Sequence, residues 1–399
     1  MIGEGKVVCV TGASGYIASW LVKILLHRGY SVHATVRSLD DPKKTEHLLT
    51  LDGAKERLSL FEANLTQEGS FESAVNGCEC LFHTASPVAF SVDGTKAQLV
   101  DPAVKGTLNV LKSAAKVPSL KRVVLTSSMT AVMHNGRLLE DEVEVNETWF
   151  SDPQICEQKK SYNLSNKIQI IVNVATDKVL GIFQLWYALS KTLAEDAATK
   201  FSKENGLELV IINPGYVIGP ILQPTLNLSS EKFLSFIKTG KEISPFPNGI
   251  YRLVDVRDVA SAHILAFENP KANGRYCVVG DVIRSSEIMY IINKLYPALH
   301  PSESWCFLIL LFFYLIIFLL QYAIEKEKVQ NLTLLEIQVF ILDFFPRNMD
   351  RYEAGKSFAP VPFDVSRERA ESLGVEFTPI GVSIKGTIDS LKEKKLLTF

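Results

Sequence analysis

The stretch Lys6–Ala18 reads KVVCVTGASGYIA, and it decides the fold. Lys6 to Val10 is a short apolar, β-branched run of the kind that forms a strand buried on both faces. Gly12 and Gly15 interrupt it, and an apolar helical spacing (Ile17, Leu21, Ile24, Leu25) starts at once. Glycines here permit a tight turn and let backbone N–H groups approach a pyrophosphate. Those groups sit at a helix N-terminus, where the dipole favours negative charge. Ala18 is small enough for helix and strand to pack closely. A Gly-x-x-Gly-x-x-Ala string alone marks many ordinary turns; a strand before it and a helix after it make it a dinucleotide site.

Working outward, Ser31–Val36 reads as a second strand ending at Arg37, where such folds contact the adenosine ribose. Arg37, Lys43 and Lys44 gather at that strand end, while Asp40 and Asp41 lie beyond it. Cations suit a 2′-phosphate, so NADP(H) is expected rather than NAD(H). Further strands are expected at Arg57–Ala63, Cys80–His83 and Lys121–Leu125, alternating with helices at Glu68–Asn76 and Thr95–Lys116. The fourth strand runs into Thr84, Ala85, Ser86 and Pro87, the fifth into Thr126, Ser127 and Ser128. This alternation predicts an α/β fold: a Rossmann-type doubly wound parallel sheet with ligand groups at its carboxyl strand ends.

After a helix at Leu185–Glu204 and a strand at Leu207–Asn213, the pattern loosens into short mixed elements. Among them are helices at Ser229–Lys238, Val256–Phe267 and Ser285–Leu295, and strands at Tyr251–Val254 and Arg275–Val279. The expected division is an NADP-binding domain over residues 1–215 and a smaller substrate-binding lobe over 216–399. With 399 residues, 47% of them hydrophobic, the chain can bury a large core. A formal net charge of −2 with interspersed signs argues against a nucleic-acid partner. Cys9, Cys78, Cys80, Cys156, Cys277 and Cys306 show no paired metal spacing and read as thiols in a reducing compartment. The first strand begins too close to the N-terminus for a signal peptide, so a cytoplasmic location is expected.

Tyr187 and Lys191 stand four apart on the expected helix and therefore share a face. A phenol, with an ordinary pKa of about 10, exchanges protons poorly at neutral pH unless that value falls. A neighbouring ammonium stabilises phenolate, so Lys191 is expected to depress the Tyr187 pKa. Lys191 can also hydrogen-bond a nicotinamide ribose, and the Ser128 hydroxyl can orient a substrate carbonyl. A Tyr–Lys pair by itself is commonly a half-exposed helix face. Beside the glycine turn and the serine-ending strand, it reads as a reductase's acid and its partner.

These segments resemble the extended short-chain dehydrogenase/reductases of plants, in the branch of dihydroflavonol, cinnamoyl-CoA and phenylacetaldehyde reductase-like or cinnamyl alcohol dehydrogenase-like enzymes. The carriers include VTGASGYIASWLVK, HATVR, LFHTASPV, RVVLTSS, LWYALSKTLAEDAA and INPGYVIGP. The resemblance implies Ser128, Tyr187 and Lys191 as the catalytic set. It places Gly12, Gly15, Tyr16 and Ile17 at the pyrophosphate, and Arg37 and Lys44 at the 2′-phosphate. It puts Asn64 and Leu65 near adenine, Thr84, Ala85 and Ser86 along the cofactor cleft, and Pro214 near the nicotinamide. Asn64 replaces the family's usual Asp. Met133 replaces the Asn that grips a dihydroflavonol, and LWYALSK lacks the signature surrounding the tyrosine of cinnamoyl-CoA reductases. The expected substrate is thus a hydrophobic or aromatic aldehyde or ketone. The alternatives are a cinnamoyl-CoA or dihydroflavonol substrate, or a catalytically impaired isoform that only binds NADPH. His83 is expected to act through its backbone, and Asp255 and Asp258 as helix caps and loop ties.

Two stretches fall outside this pattern: Ser161–Gln184 and, roughly, Ser302–Phe345. The first is expected to hold at most a short strand, Ile168–Val174. The second contains an apolar run over residues 305–324, long enough in a helix to cross a bilayer. A crossing there would carry the family-like tail away from the lobe it completes, so membrane anchoring ranks below a cytoplasmic reading. Both stretches are rich in the Phe, Leu, Ile, Tyr, Asn and Lys that A/T-rich codons encode, which reads as translated retained intron.

Overall fold

The computed structural model describes residues 3–87, 96–137, 143–157, 175–239, 249–299 and 363–399. Its strands are β1 (Val7–Thr11), β2 (Ser31–Val36), β3 (Leu58–Glu62), β4 (Cys80–His83), β5 (Arg122–Thr126) and β6 (Val143–Val145). They continue with β7 (Leu209–Pro214), β8 (Tyr216–Ile218), β9 (Ile250–Asp255), β10 (Gly274–Val278), β11 (Asp281–Arg284) and β12 (Phe363–Val365). The helices used below are α1 (Tyr16–His27), α2 (Pro42–Leu49), α3 (Lys96–Ala114), α4 (Ala175–Asn205), α5 (Leu228–Thr239), α6 (Val256–Glu268), α7 (Ser285–Leu295) and α8 (Ile380–Glu393).

Seven parallel strands pair in the order β10-β7-β5-β4-β1-β2-β3. Strand order reverses beside β1, so the carboxyl ends of β1 and β4 open a crevice there. The central strands β1, β4 and β5 are almost wholly buried, as their unbroken apolar runs require. Leu81, Val123 and Ile211 share one core with Phe71, Val110 and Ala198 from the covering segments.

The structure corrects the sequence at three places. Gly274–Val278, expected in the substrate lobe, pairs with β7 and forms the edge of the main sheet. The helix carrying Tyr187 and Lys191 begins at Ala175, ten residues before the expected Leu185, so the first atypical stretch ends as helix. The expected helix Glu68–Asn76 shrinks to Glu72–Val75. The remainder of Ser161–Gln184, including Ile168–Val174, and the stretch 302–345 with its apolar run 305–324 lie outside the described residues. Among the described residues no helix is long and apolar enough to cross a membrane.

The chain divides into two compact units, Met1–Ser285 with Pro360–Thr398, and Ser286–Ala359 with Phe399. The tail therefore returns to the unit that holds the sheet. β12 pairs with β6 in parallel, and β8, β9 and β11 form a second small sheet. From α8, Thr387 Oγ1 accepts from the Gly219 amide at 2.7 Å and Ser390 Oγ from the Ile221 amide at 3.2 Å. Asp255 caps α6 through the Arg257 amide at 2.8 Å, and Asp258 accepts from the Thr378 amide and hydroxyl at 2.8 and 2.7 Å. Both acids are the helix cap and loop tie that their positions suggest.

Candidate active site

The turn after β1 is fastened to the end of β4. The buried Thr11 hydroxyl accepts from the Thr84 and Ala85 amides at 3.2 and 3.1 Å, and the Thr84 hydroxyl donates to the Thr11 carbonyl. His83 Nδ1 lies 2.9 Å from Thr11 Oγ1. Burial, and secondarily the Lys191 charge, push its pKa down to about 3, so His83 is neutral near physiological pH.

Gly12 adopts φ +65°, and a Cβ there would stand 3.0 Å from both Cα and Cβ of Ala85. Gly15 is different: it caps α1 at φ −79°, and its need is room, since a Cβ would meet the Gly12 carbonyl at 3.2 Å. The first bond into α1 runs from the Ser19 amide to the Gly15 carbonyl at 2.8 Å. The Tyr16 and Ile17 amides precede it, where a helix supplies no acceptor of its own. With no acidic residue in that first turn, the cradle fits a pyrophosphate. The Tyr16 side chain points elsewhere: its hydroxyl donates to the Gly219 carbonyl at 2.7 Å, so it ties this turn to the loop after β8.

Arg37 is exposed at the end of β2 and has no hydrogen bond or ion pair among the described residues. Lys44 lies in the first turn of α2, whose cap is Asp41. Both cations fit a 2′-phosphate. Asn64 is exposed, and its Oδ1 accepts from the Thr66 amide and hydroxyl, each at 3.0 Å, so that oxygen is committed to a turn. Leu65 packs on the main core, and its carbonyl accepts from Asn109 at 2.9 Å. Ser86 is half-buried past Ala85, and Pro214 closes β7 with its carbonyl accepting from the Met129 amide at 3.0 Å.

Ser128 lies two residues past the end of β5. Its carbonyl accepts from Asn213 Nδ2 at 3.1 Å, and its side chain lies close enough to that of Tyr187 to draw the phenol's pKa down. One helical turn on, Lys191 is buried; its Nζ donates to the Thr126 carbonyl at 3.3 Å and sits 5.9 Å from the centre of the Tyr187 ring. Three residues far apart in sequence are thus neighbours at the carboxyl end of the sheet. The expected acidification of the phenol is not found. Burial pushes the Tyr187 pKa up, and the Ser128 side chain draws it only partly back. The Lys191 amine, itself pushed down to about 8 by burial with Glu195 opposing, gives up its proton before the phenol does, so no cation remains to pull the phenol's titration down.

The sequence reading passed over the groups behind this set. Glu195 Oε2 accepts from Ser127 Oγ at 2.5 Å and from Asn213 Nδ2 at 3.0 Å, and its Oε1 pairs with Arg275 Nε at 2.6 Å. Glu195 continues the four-residue spacing of Tyr187 and Lys191, which is the signal that marks it. Met133 ends the short helix Thr130–Met133 and packs against a cluster holding Met129, Val132, Val145 and Trp149.

Residues 10–253 match the NAD-binding family described as Male sterility protein. The chain belongs to that family. It is 47% identical over 391 residues to Cinnamoyl-CoA reductase CAD2 of Medicago truncatula, spanning 98% of this chain and 97% of that one. The solved vestitone reductase of alfalfa superposes with a TM-score of 0.66 at 28% identity, covering 98% of this chain and 99% of the other. The Candida albicans Gre2–NADPH complex gives 0.67 at 27%, with the same coverage. This member of the cinnamoyl-CoA reductase-like extended short-chain dehydrogenase/reductases is an NADP(H)-dependent oxidoreductase of small organic substrates.

Proposed function

We propose that this chain reduces a hydrophobic or aromatic aldehyde or ketone to the alcohol, with Tyr187 as proton donor. The observation that carries the reading is the apposition of the Ser128 and Tyr187 side chains, with Lys191 one turn further along the same helix face. Gly12, Gly15 and the Tyr16 and Ile17 amides would hold the pyrophosphate, Arg37 and Lys44 the 2′-phosphate, and Pro214 and Thr84–Ser86 the cleft. When bound, the dihydronicotinamide supplies the hydride that adds to the carbonyl carbon.

The chain's own part is to orient and protonate. Ser128 donates to the substrate oxygen and fixes its direction. Tyr187, fully protonated because burial raises its pKa, delivers its proton to that oxygen as negative charge develops. Lys191, in its cationic form, stabilises the phenolate left behind. Met133, standing where the resemblance expects the Asn that grips a dihydroflavonol, supports an apolar substrate. The 47% identity to a named cinnamoyl-CoA reductase favours a thioester as the second reading.

A substrate panel separates the readings: NADPH oxidation by purified protein with phenylacetaldehyde, cinnamaldehyde, cinnamoyl-CoA and a dihydroflavonol. Turnover of the aldehydes at far higher kcat/KM than the thioester is expected. Turnover confined to cinnamoyl-CoA selects the second reading, and NADPH binding with no turnover of any compound removes both. The panel run with and without Ser161–Gln184 shows whether that segment alters the rate.

A further inference from the structure

Tyr187, Lys191 and Glu195 line one face of α4, and the third of them is as buried as the second, at 5% and 8% exposed. We propose that Glu195 is a positioning residue for the reduction: with Arg275 it fixes the rotation of α4 that brings Tyr187 to Ser128, and it sets its carboxylate one helical turn from the Lys191 amine.

The carboxylate is tied to three adjacent strands at the height of the catalytic set. Ser127 stands at the end of β5 immediately before Ser128, Asn213 is on β7, and Arg275 is on β10. Asn213 Nδ2 spans the Glu195 carboxylate and the Ser128 carbonyl, so the serine and the helix are registered against the same amide. A turn of α4 would break all of these bonds together. Arg275 is itself held, donating to the carbonyls of Trp149 at 2.5 Å, Glu147 at 3.2 Å and Ala131 at 3.0 Å, with Phe150 against its guanidinium at 4.2 Å. Such a cation is the partner that a buried carboxylate needs.

Around Lys191 the facing groups are Tyr187 and Glu195 on its own helix, neutral His83 on β4 and the Thr126 carbonyl of β5. Glu195 is the negative charge among them, and it opposes the burial that drives the amine toward neutrality.

The inference rests on the reading of Tyr187 and Lys191 given above, and its test separates the two. Lys191 is titrated in cofactor-free protein by competitive acetic anhydride labelling and mass spectrometry across pH, in wild type, Glu195→Gln and Glu195→Asp. Wild type is expected to reach half-labelling near about pH 8. Glu195→Gln should move that midpoint down by about one pH unit, roughly tenfold less cation at a given alkaline pH. Its kcat should fall by a similar factor there, with KM little changed. Glu195→Asp keeps the charge but withdraws it from Ser127: its titration should match wild type while kcat falls about tenfold at every pH.

Superimposable labelling curves for Glu195→Gln and wild type would overturn the proposal. So would a loss of kcat in Glu195→Gln that is uniform across pH and tracks the folded fraction. If Glu195→Gln fails to fold, Glu195→Asp decides, and a wild-type kcat there refutes the positioning role. Full turnover by Tyr187→Phe would instead sink the catalytic reading, leaving the Lys191 titration intact.

Discussion

Replacing Gly12 by Ala puts two separate costs on one atom. At φ +65° a side chain is in the left-handed region, which costs about 1–2 kcal/mol for a residue bearing a Cβ. The same Cβ would press to 3.0 Å on Cα and Cβ of Ala85, and Ala85 cannot retreat because its amide is bonded to Thr11 at 3.1 Å. Overpacking of this kind costs about 1–3 kcal/mol. Together the two give about 2–5 kcal/mol, a large share of the roughly 5–15 kcal/mol that holds a domain folded.

Gly15→Ala is the internal control. Its φ of −79° is ordinary and its one close neighbour is the Gly12 carbonyl at 3.2 Å, so about 1 kcal/mol or less is expected. Urea denaturation of both variants gives the stabilities, and fluorescence titration with NADPH gives the binding. Gly12→Ala should unfold at markedly lower urea and bind NADPH weakly. Equal midpoints and equal affinities for the two variants would refute the reasoning from the turn.

Three further outcomes follow from the same geometry. Arg37→Ala should weaken NADPH by about 10- to 100-fold while leaving NADH nearly unchanged, because a charged hydrogen bond is worth about 1.5–3 kcal/mol; parallel titrations with both nucleotides check it. His83 and His263 are buried neutral with pKa values pushed down to about 3 and about 4, so the unfolded chain binds more protons below its ordinary 6.5. Stability should therefore fall as pH drops from 6.5 toward 4, by up to about 1.4 kcal/mol per pH unit for each, and His263→Gln should flatten that slope by one proton in urea titrations at several pH values. The alkaline limb of kcat should lie near pH 8, where Lys191 loses its proton, and a wild-type rate that is flat through that range would contradict the role given to the amine.

Much of this fold is legible in the sequence because local chemistry dictates it. Cys80–His83 and Ser31–Val36 match their expected bounds, since short apolar runs between turns have few alternatives. What escapes is whatever long-range pairing decides. Arg275 sits in a run that reads as a strand wherever it lies, and only pairing with β7 makes it the edge of the main sheet. β6 and β12 are three residues each, and neither is persuasive until the other arrives from the far end of the chain. The candidate catalytic set is legible as spacing and strand-end position, but its electrostatics are not. Burial, which the sequence does not display, raises the Tyr187 pKa where a neighbouring lysine suggested a fall. Glu195 looks like one more charge on a solvated helix face until Arg275, eighty residues later, lies against it.

The central claim is that Tyr187 delivers the proton while a separate cradle holds the nucleotide. Tyr187→Phe removes one hydroxyl and leaves the Gly12 turn, Arg37 and Lys191 in place. Measured side by side with wild type, NADPH affinity should stay within about twofold while kcat for the preferred aldehyde drops about 10²- to 10⁴-fold. A Tyr187→Phe protein that binds NADPH and turns over at the wild-type rate would contradict the account.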